Sequence, residues 1–139
     1  MPELRSIQRA SGPFEVTLAP LASAWAGEPV PLARMSIEKQ FMGDLSATSQ
    51  GEMLSASGSV NGSAGYVAIE KVTGTLHGRE GTFMLQHTGT MNRGVPSLSI
   101  TVIPDSGTGA LAGLTGTMQI IIDGKRHSYI FDYSFADAT

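Results

Sequence analysis

The sequence predicts an all-β fold, a closed barrel of eight antiparallel strands, each joined to the next. Three observations carry that reading. Apolar and polar residues alternate at period two along most of the chain, and no helix of normal length is legible. Turn signals separate the alternating stretches, among them Gly43-Asp44, Asn61-Gly62, Asn92-Arg93-Gly94 and Asp123-Gly124. A nine-residue frame, Gly-x-Leu-x-Gly-x-x-Gly-Thr, occupies residues 74–82 and recurs at residues 109–117. Glycine adopts positive φ without a Cβ penalty, so each copy reads as a strand, a tight reversal and a second strand. A sandwich fits the same pattern, but sequential hairpins favour the barrel, because closure removes exposed edges.

The elements follow in order. Residues 1–11 read as a flexible leader and residues 12–139 as a single barrel domain. Phe14, Val16 and Leu18 alternate with Glu15 and Thr17, giving strand one. Three prolines between Pro20 and Pro31 mark a long connection, with a helical turn at Ala22 to Ala26 and Trp25 as a lid or loop anchor. Met35, Ile37, Lys39 and Phe41 share one face of strand two. Strand three, Leu45 to Ser57, is rich in Ser, Ala and Thr with Met53 and Leu54 as its main apolar residues, and Asn61-Gly62 predicts a two-residue hairpin after it. Strand four runs Tyr66 to Leu76, residues 77–81 turn, and strand five runs Thr82 to Met91. Leu98, Ile100 and Val102 define strand six, Thr117 to Ile122 strand seven, and the period-two stripe Tyr129, Phe131, Tyr133 and Phe135 strand eight. Strand four carries Tyr66 and Val72 on one face but Val67 and Ile69 on the other. It reads as buried on both sides, which in a single barrel implies a subunit interface and a homo-oligomer.

Composition narrows the function classes. With 139 residues, 41% hydrophobic and 15% charged, the chain suits one domain with a substantial core. Twelve acidic against nine basic residues, the basic ones scattered, argue against nucleic acid and anionic membranes as partners. The absence of cysteine excludes disulfides and thiolate chemistry. No signal-peptide core or membrane-span run is present, so the expected compartment is the cytoplasm. His77, His87 and His127 lack metal-ligand spacing, and neither a metal nor a cofactor is expected. The glycine-rich repeats lead into strands, whereas a phosphate cradle needs a helix N-terminus after its glycines.

The run from Gly65 to Leu76, the run from Gly81 to Thr90, Pro104-Asp105-Ser106-Gly107-Thr108-Gly109 with Leu111 to Leu114, and Lys39 to Leu45 together resemble a bacterial family of domains of unknown function, DUF3224. The resemblance covers most of the chain from Phe14 to Phe135. It implies a closed eight-stranded meander barrel similar to that of allene oxide cyclase, and no established activity.

Four residues are the candidate ligand-binding set: Lys39, Tyr66, Glu70 and His87. His87 shares its face with Phe83, Leu85 and Met91, where it serves either as a hydrogen-bonded core histidine or as a general base. Lys39 lies on an apolar face, so its ammonium either snorkels to the rim or finds a carboxylate, Glu70 or Glu52. Tyr66 offers a hydroxyl on an apolar body. Gln86 points outward, toward solvent or another subunit. The expected function is binding of a small apolar or amphipathic molecule inside the barrel. The alternatives are an isomerase or cyclase in the same pocket, and a partner-binding module acting through the outer face of strand four.

Overall fold

The computed structural model describes residues 6–23 and 32–136. Eight strands follow in order: β1 (Gln8–Leu21), β2 (Leu32–Phe41), β3 (Leu45–Ser57), β4 (Ala64–Leu76), β5 (Arg79–Asn92), β6 (Val95–Val102), β7 (Leu114–Asp123) and β8 (Arg126–Phe135). Each pairs antiparallel with its successor, and β8 returns to β1 between Gln8↔Tyr133 and Phe14↔His127, closing the barrel. The expected eight-stranded meander barrel is the observed architecture. The first strand opens at Gln8, inside the stretch read as a leader, and Ala10 is fully buried. Trp25 and most of the turn expected at 22–26 lie outside the described residues.

Two-residue turns with positive φ at both positions, His77-Gly78 and Arg93-Gly94, join β4 to β5 and β5 to β6. Their backbone twist matches that of the flanking strands. Two turn readings are corrected. Asn61-Gly62 is not a two-residue hairpin; residues 58–63 form a six-residue loop, closed where the Gly58 N–H donates to the Ser63 carbonyl at 2.8 Å. The second copy of the glycine frame is not a strand, reversal and strand either. It forms a 3-10 turn, Gly109–Leu111, ahead of β7. The reason is a long-range contact: Thr108 exchanges hydrogen bonds with Thr82 on β5, which holds the loop across that strand. Gly81 lies beneath Thr108, where a Cβ would collide with its carbonyl oxygen.

The alternation sorts side chains cleanly. One end of the barrel is plugged: Leu45, Leu76, Leu111 and Leu114 are buried there, beside the aromatic stripe of β8. Phe131 stacks on Phe83 at 5.7 Å between centroids, and Phe41 meets Tyr129 edge-on at 5.5 Å. The Tyr129 hydroxyl donates to the Met42 carbonyl at 2.7 Å and accepts from the Leu45 N–H at 2.8 Å, pinning the β2–β3 turn. The stripe is therefore core lining. Toward the other end the inward positions open. Leu18, Met91, Leu98 and Ile122 continue the inward rows of β1, β5, β6 and β7, yet they are between 41% and 66% exposed. Among the described residues, the inward rows are thus buried at one end of the barrel and exposed at the other.

Candidate functional site

Among the described residues, four polar side chains are buried on the inner wall: Lys39 on β2, Ser49 on β3, Glu70 on β4 and His87 on β5. Glu70, 0% exposed, is their hub. Its Oε2 accepts from Lys39 Nζ at 2.9 Å and lies 2.6 Å from His87 Nε2, while its Oε1 accepts from the Ser49 hydroxyl at 2.8 Å. Burial works against the charged carboxyl, but the hydrogen bonds from His87 and Lys39 and the lysine's charge outweigh it, holding Glu70 down to about 2. An ionised carboxylate only accepts, so His87 Nε2 carries the hydrogen of that bond. The other ring nitrogen, Nδ1, faces the Tyr66 hydroxyl at 3.5 Å.

Strand register brings these groups together. Glu70 stands opposite Gly51, and His87 opposite Ala68. Both partners are small, so the polar chains reach one another diagonally across the vacated positions. A Cβ on Gly51 would stand 2.8 Å from that of Glu70. Tyr66 pairs with Gly89, and its ring lies over that glycine's backbone, where any Cβ would collide with it. Gly89 pairs in turn with Leu98, which places the Tyr66 ring beside the open mouth. Tyr66 is half-buried, and burial together with the Glu70 charge raises its phenol above the ordinary value. The phenol thus stays a hydrogen-bond donor. Lys39 completes the floor with its Nζ 5.3 Å and 5.7 Å from the ring centroids of Phe14 and Phe41.

All four sequence-derived candidates meet in one cluster. The snorkelling reading of Lys39 is corrected: its side chain is 5% exposed and bonded to Glu70. Glu52, the other partner considered, lies outside and pairs with Arg34 at 2.6 Å. Ser49 was legible only as one of many small polar residues on strand three; its inward phase, two positions from Ala47, is the signal that singles it out. Its hydroxyl completes the acceptor set of Glu70, and no buried side-chain nitrogen or oxygen among the described residues lacks a partner.

A concavity of about 900 Å³ lies along the outer wall of β2 to β5 and is lined by Leu32, Arg34, Glu52, Leu54, Val67, Ile69 and Gln86 among others. Val67 and Ile69, read as buried, are 52% and 51% exposed in the single chain. Val67, Ile69 and Gln86 are outward positions of β4 and β5, whereas Glu70 faces inward. Its one cation, Arg34, is occupied by Glu52, whereas the chemistry-bearing groups face inward. No group of three or more His, Cys, Asp or Glu residues suited to a metal occurs among the described residues. No described helix is long and apolar enough to cross a membrane.

No curated protein matches the chain. A crystal structure of a protein of unknown function from Shewanella oneidensis MR-1, itself assigned to DUF3224, superposes with a TM-score of 0.89 at 48% identity, covering 96% of this chain and all of that one. The family model described as "protein of unknown function (DUF3224)" matches residues 10–133, and the chain belongs to that family.

Proposed function

We propose that the barrel binds a small amphipathic molecule in its open mouth, apolar body outward and a neutral carbonyl-type head toward Tyr66. The supporting observation is the pairing of an exposed apolar rim, Leu18, Met91, Leu98 and Ile122, with a buried polar floor. Apolar pockets with a few convergent polar groups are the usual form of small-molecule sites. The floor also favours a type of head. Both Glu70 oxygens are taken and the Lys39 charge is matched, so no unpaired ion demands a charged ligand. Tyr66 has a donor to offer at the edge of the mouth, and a carbonyl oxygen is its natural acceptor. Titration of the protein with methyl hexyl ketone, followed by saturation-transfer NMR, tests the reading. Leu98→Glu is expected to weaken binding at least about tenfold, because a charge set against an apolar tail is poorly solvated. Unchanged affinity in that variant would count against the mouth.

A second reading concerns the outer wall. Leu54, Val67 and Ile69 form an exposed apolar row, and scattered exposed apolar residues are ordinary where contiguous ones are not. We infer that a second copy of the chain covers this row. Ile69→Lys leaves the inner wall untouched and is expected to reduce the sedimentation coefficient; an identical value in parent and variant rejects the interface.

A further inference from the structure

We propose that the mouth site moves a proton: His87 Nδ1 takes a hydrogen from the carbon beside a ligand's carbonyl while the Tyr66 hydroxyl holds the carbonyl oxygen, isomerising β,γ-unsaturated ketones to conjugated ones. The inference rests on the binding reading above and adds a reaction to it. Its basis is the order of groups along one line, Glu70, His87, Tyr66. Glu70 Oε2 fixes a hydrogen on His87 Nε2 at 2.6 Å, so the uncharged form of the ring has its lone pair on Nδ1, the nitrogen that faces Tyr66. His87 is 3% exposed, and the Nδ1 to hydroxyl separation of 3.5 Å is at the outer limit of a hydrogen bond, a weak contact that a substrate entering past Tyr66 would replace. A carbonyl oxygen and its α-carbon, two bonds apart, suit that spacing. Glu70 is a positioning residue; His87 and Tyr66 touch the substrate.

The step balances within the substrate. The α C–H bond breaks, its proton passes to His87 Nδ1, and its electron pair enters a dienolate whose oxygen accepts from the Tyr66 hydroxyl. The dienolate then collapses as Nδ1 returns the proton to the γ-carbon, forming a C–H bond there and shifting the double bond into conjugation. Substrate and product are isomers, so no oxidant, reductant or co-reactant takes part. The apolar rim suits a ketone with hydrocarbon substituents.

Isomesityl oxide is the probe, because its isomer mesityl oxide is conjugated and absorbs strongly in the ultraviolet. Wild-type protein is expected to accelerate its conversion, and Tyr66→Phe to lower the rate about 100-fold with less than a tenfold change in affinity. His87→Gln is expected to abolish the acceleration. Glu70→Gln is expected to lower it and to shift the His87 ring ¹⁵N signals toward a mixture of tautomers, a change that a purely structural role for Glu70 does not require. Saturation-transfer NMR on the same samples separates the outcomes. Isomesityl oxide bound without conversion above the buffer rate overturns the inference and leaves the binding reading standing. Lack of any bound ketone, isomesityl oxide or methyl hexyl ketone, overturns both.

Discussion

At the scale of residues, the site is organised by one carboxylate. Removing a single partner from a buried ion pair leaves the other charge uncompensated and typically costs about 3–5 kcal/mol. Glu70 is therefore a buried contributor to the acid response. Its folded carboxyl, drawn to about 2 from an ordinary 4.5, binds its proton less readily than the unfolded chain does. A depressed carboxyl stabilises the fold above the unfolded value and loses that contribution as pH falls through the folded one. The window is thus between pH 4.5 and about 2, and a shift of this size is worth roughly 3 kcal/mol. Urea unfolding across that range is expected to show a steeper loss of stability in the wild type than in Glu70→Gln. Parallel pH profiles would show that the cluster does not anchor the fold.

The same residues show how far sequence alone reaches. Ile37-Glu38-Lys39 and Ile69-Glu70-Lys71 are one tripeptide in two strands, yet they face oppositely. Ile37 and Lys39 point inward, and so does Glu70, while Ile69 and Lys71 point outward. Period-two alternation with Phe41 and with Val72 makes those phases readable. Which carboxylate Lys39 meets is not readable, because Glu70 and Glu52 differ only through phase and register. Ser49 escaped for a related reason: where both faces of a strand are small and polar, alternation carries no contrast.

At the scale of elements, glycines and alanines set the reach of the polar chains. Gly51 and Ala68 leave space opposite Glu70 and His87, and Gly89 gives Tyr66 a bare backbone to lie on. Gly89→Ala is expected to keep the far-ultraviolet circular dichroism of the barrel while displacing the Tyr66 ring. Ketone affinity in that variant should fall several-fold, as measured by the same titration; full retention would mean that the ring position is irrelevant. Local pattern misled at the second glycine frame. Two nine-residue phrases that share five residues adopt different conformations because Thr108, just before the second copy, is captured by Thr82 near the start of β5. Long-range hydrogen bonding overrode a local turn signal, which no window of sequence displays.

At the scale of the molecule, the difference between the two ends of the barrel follows from unequal filling. Among the described residues, aromatic side chains and the loop bearing Leu111 fill one end, and shorter or more exposed apolar residues line the other. An eight-stranded barrel is just wide enough for this division between packed core and small pocket. Two places compete as ligand sites, the exposed inward rim near Tyr66 and the outer groove over Val67 and Ile69. Intermolecular NOEs from the hydrocarbon chain of methyl hexyl ketone to the protein's methyl groups decide between them. The account requires cross-peaks to Met91, Leu98 and Ile122; cross-peaks confined to Leu54, Val67 and Ile69 would contradict it.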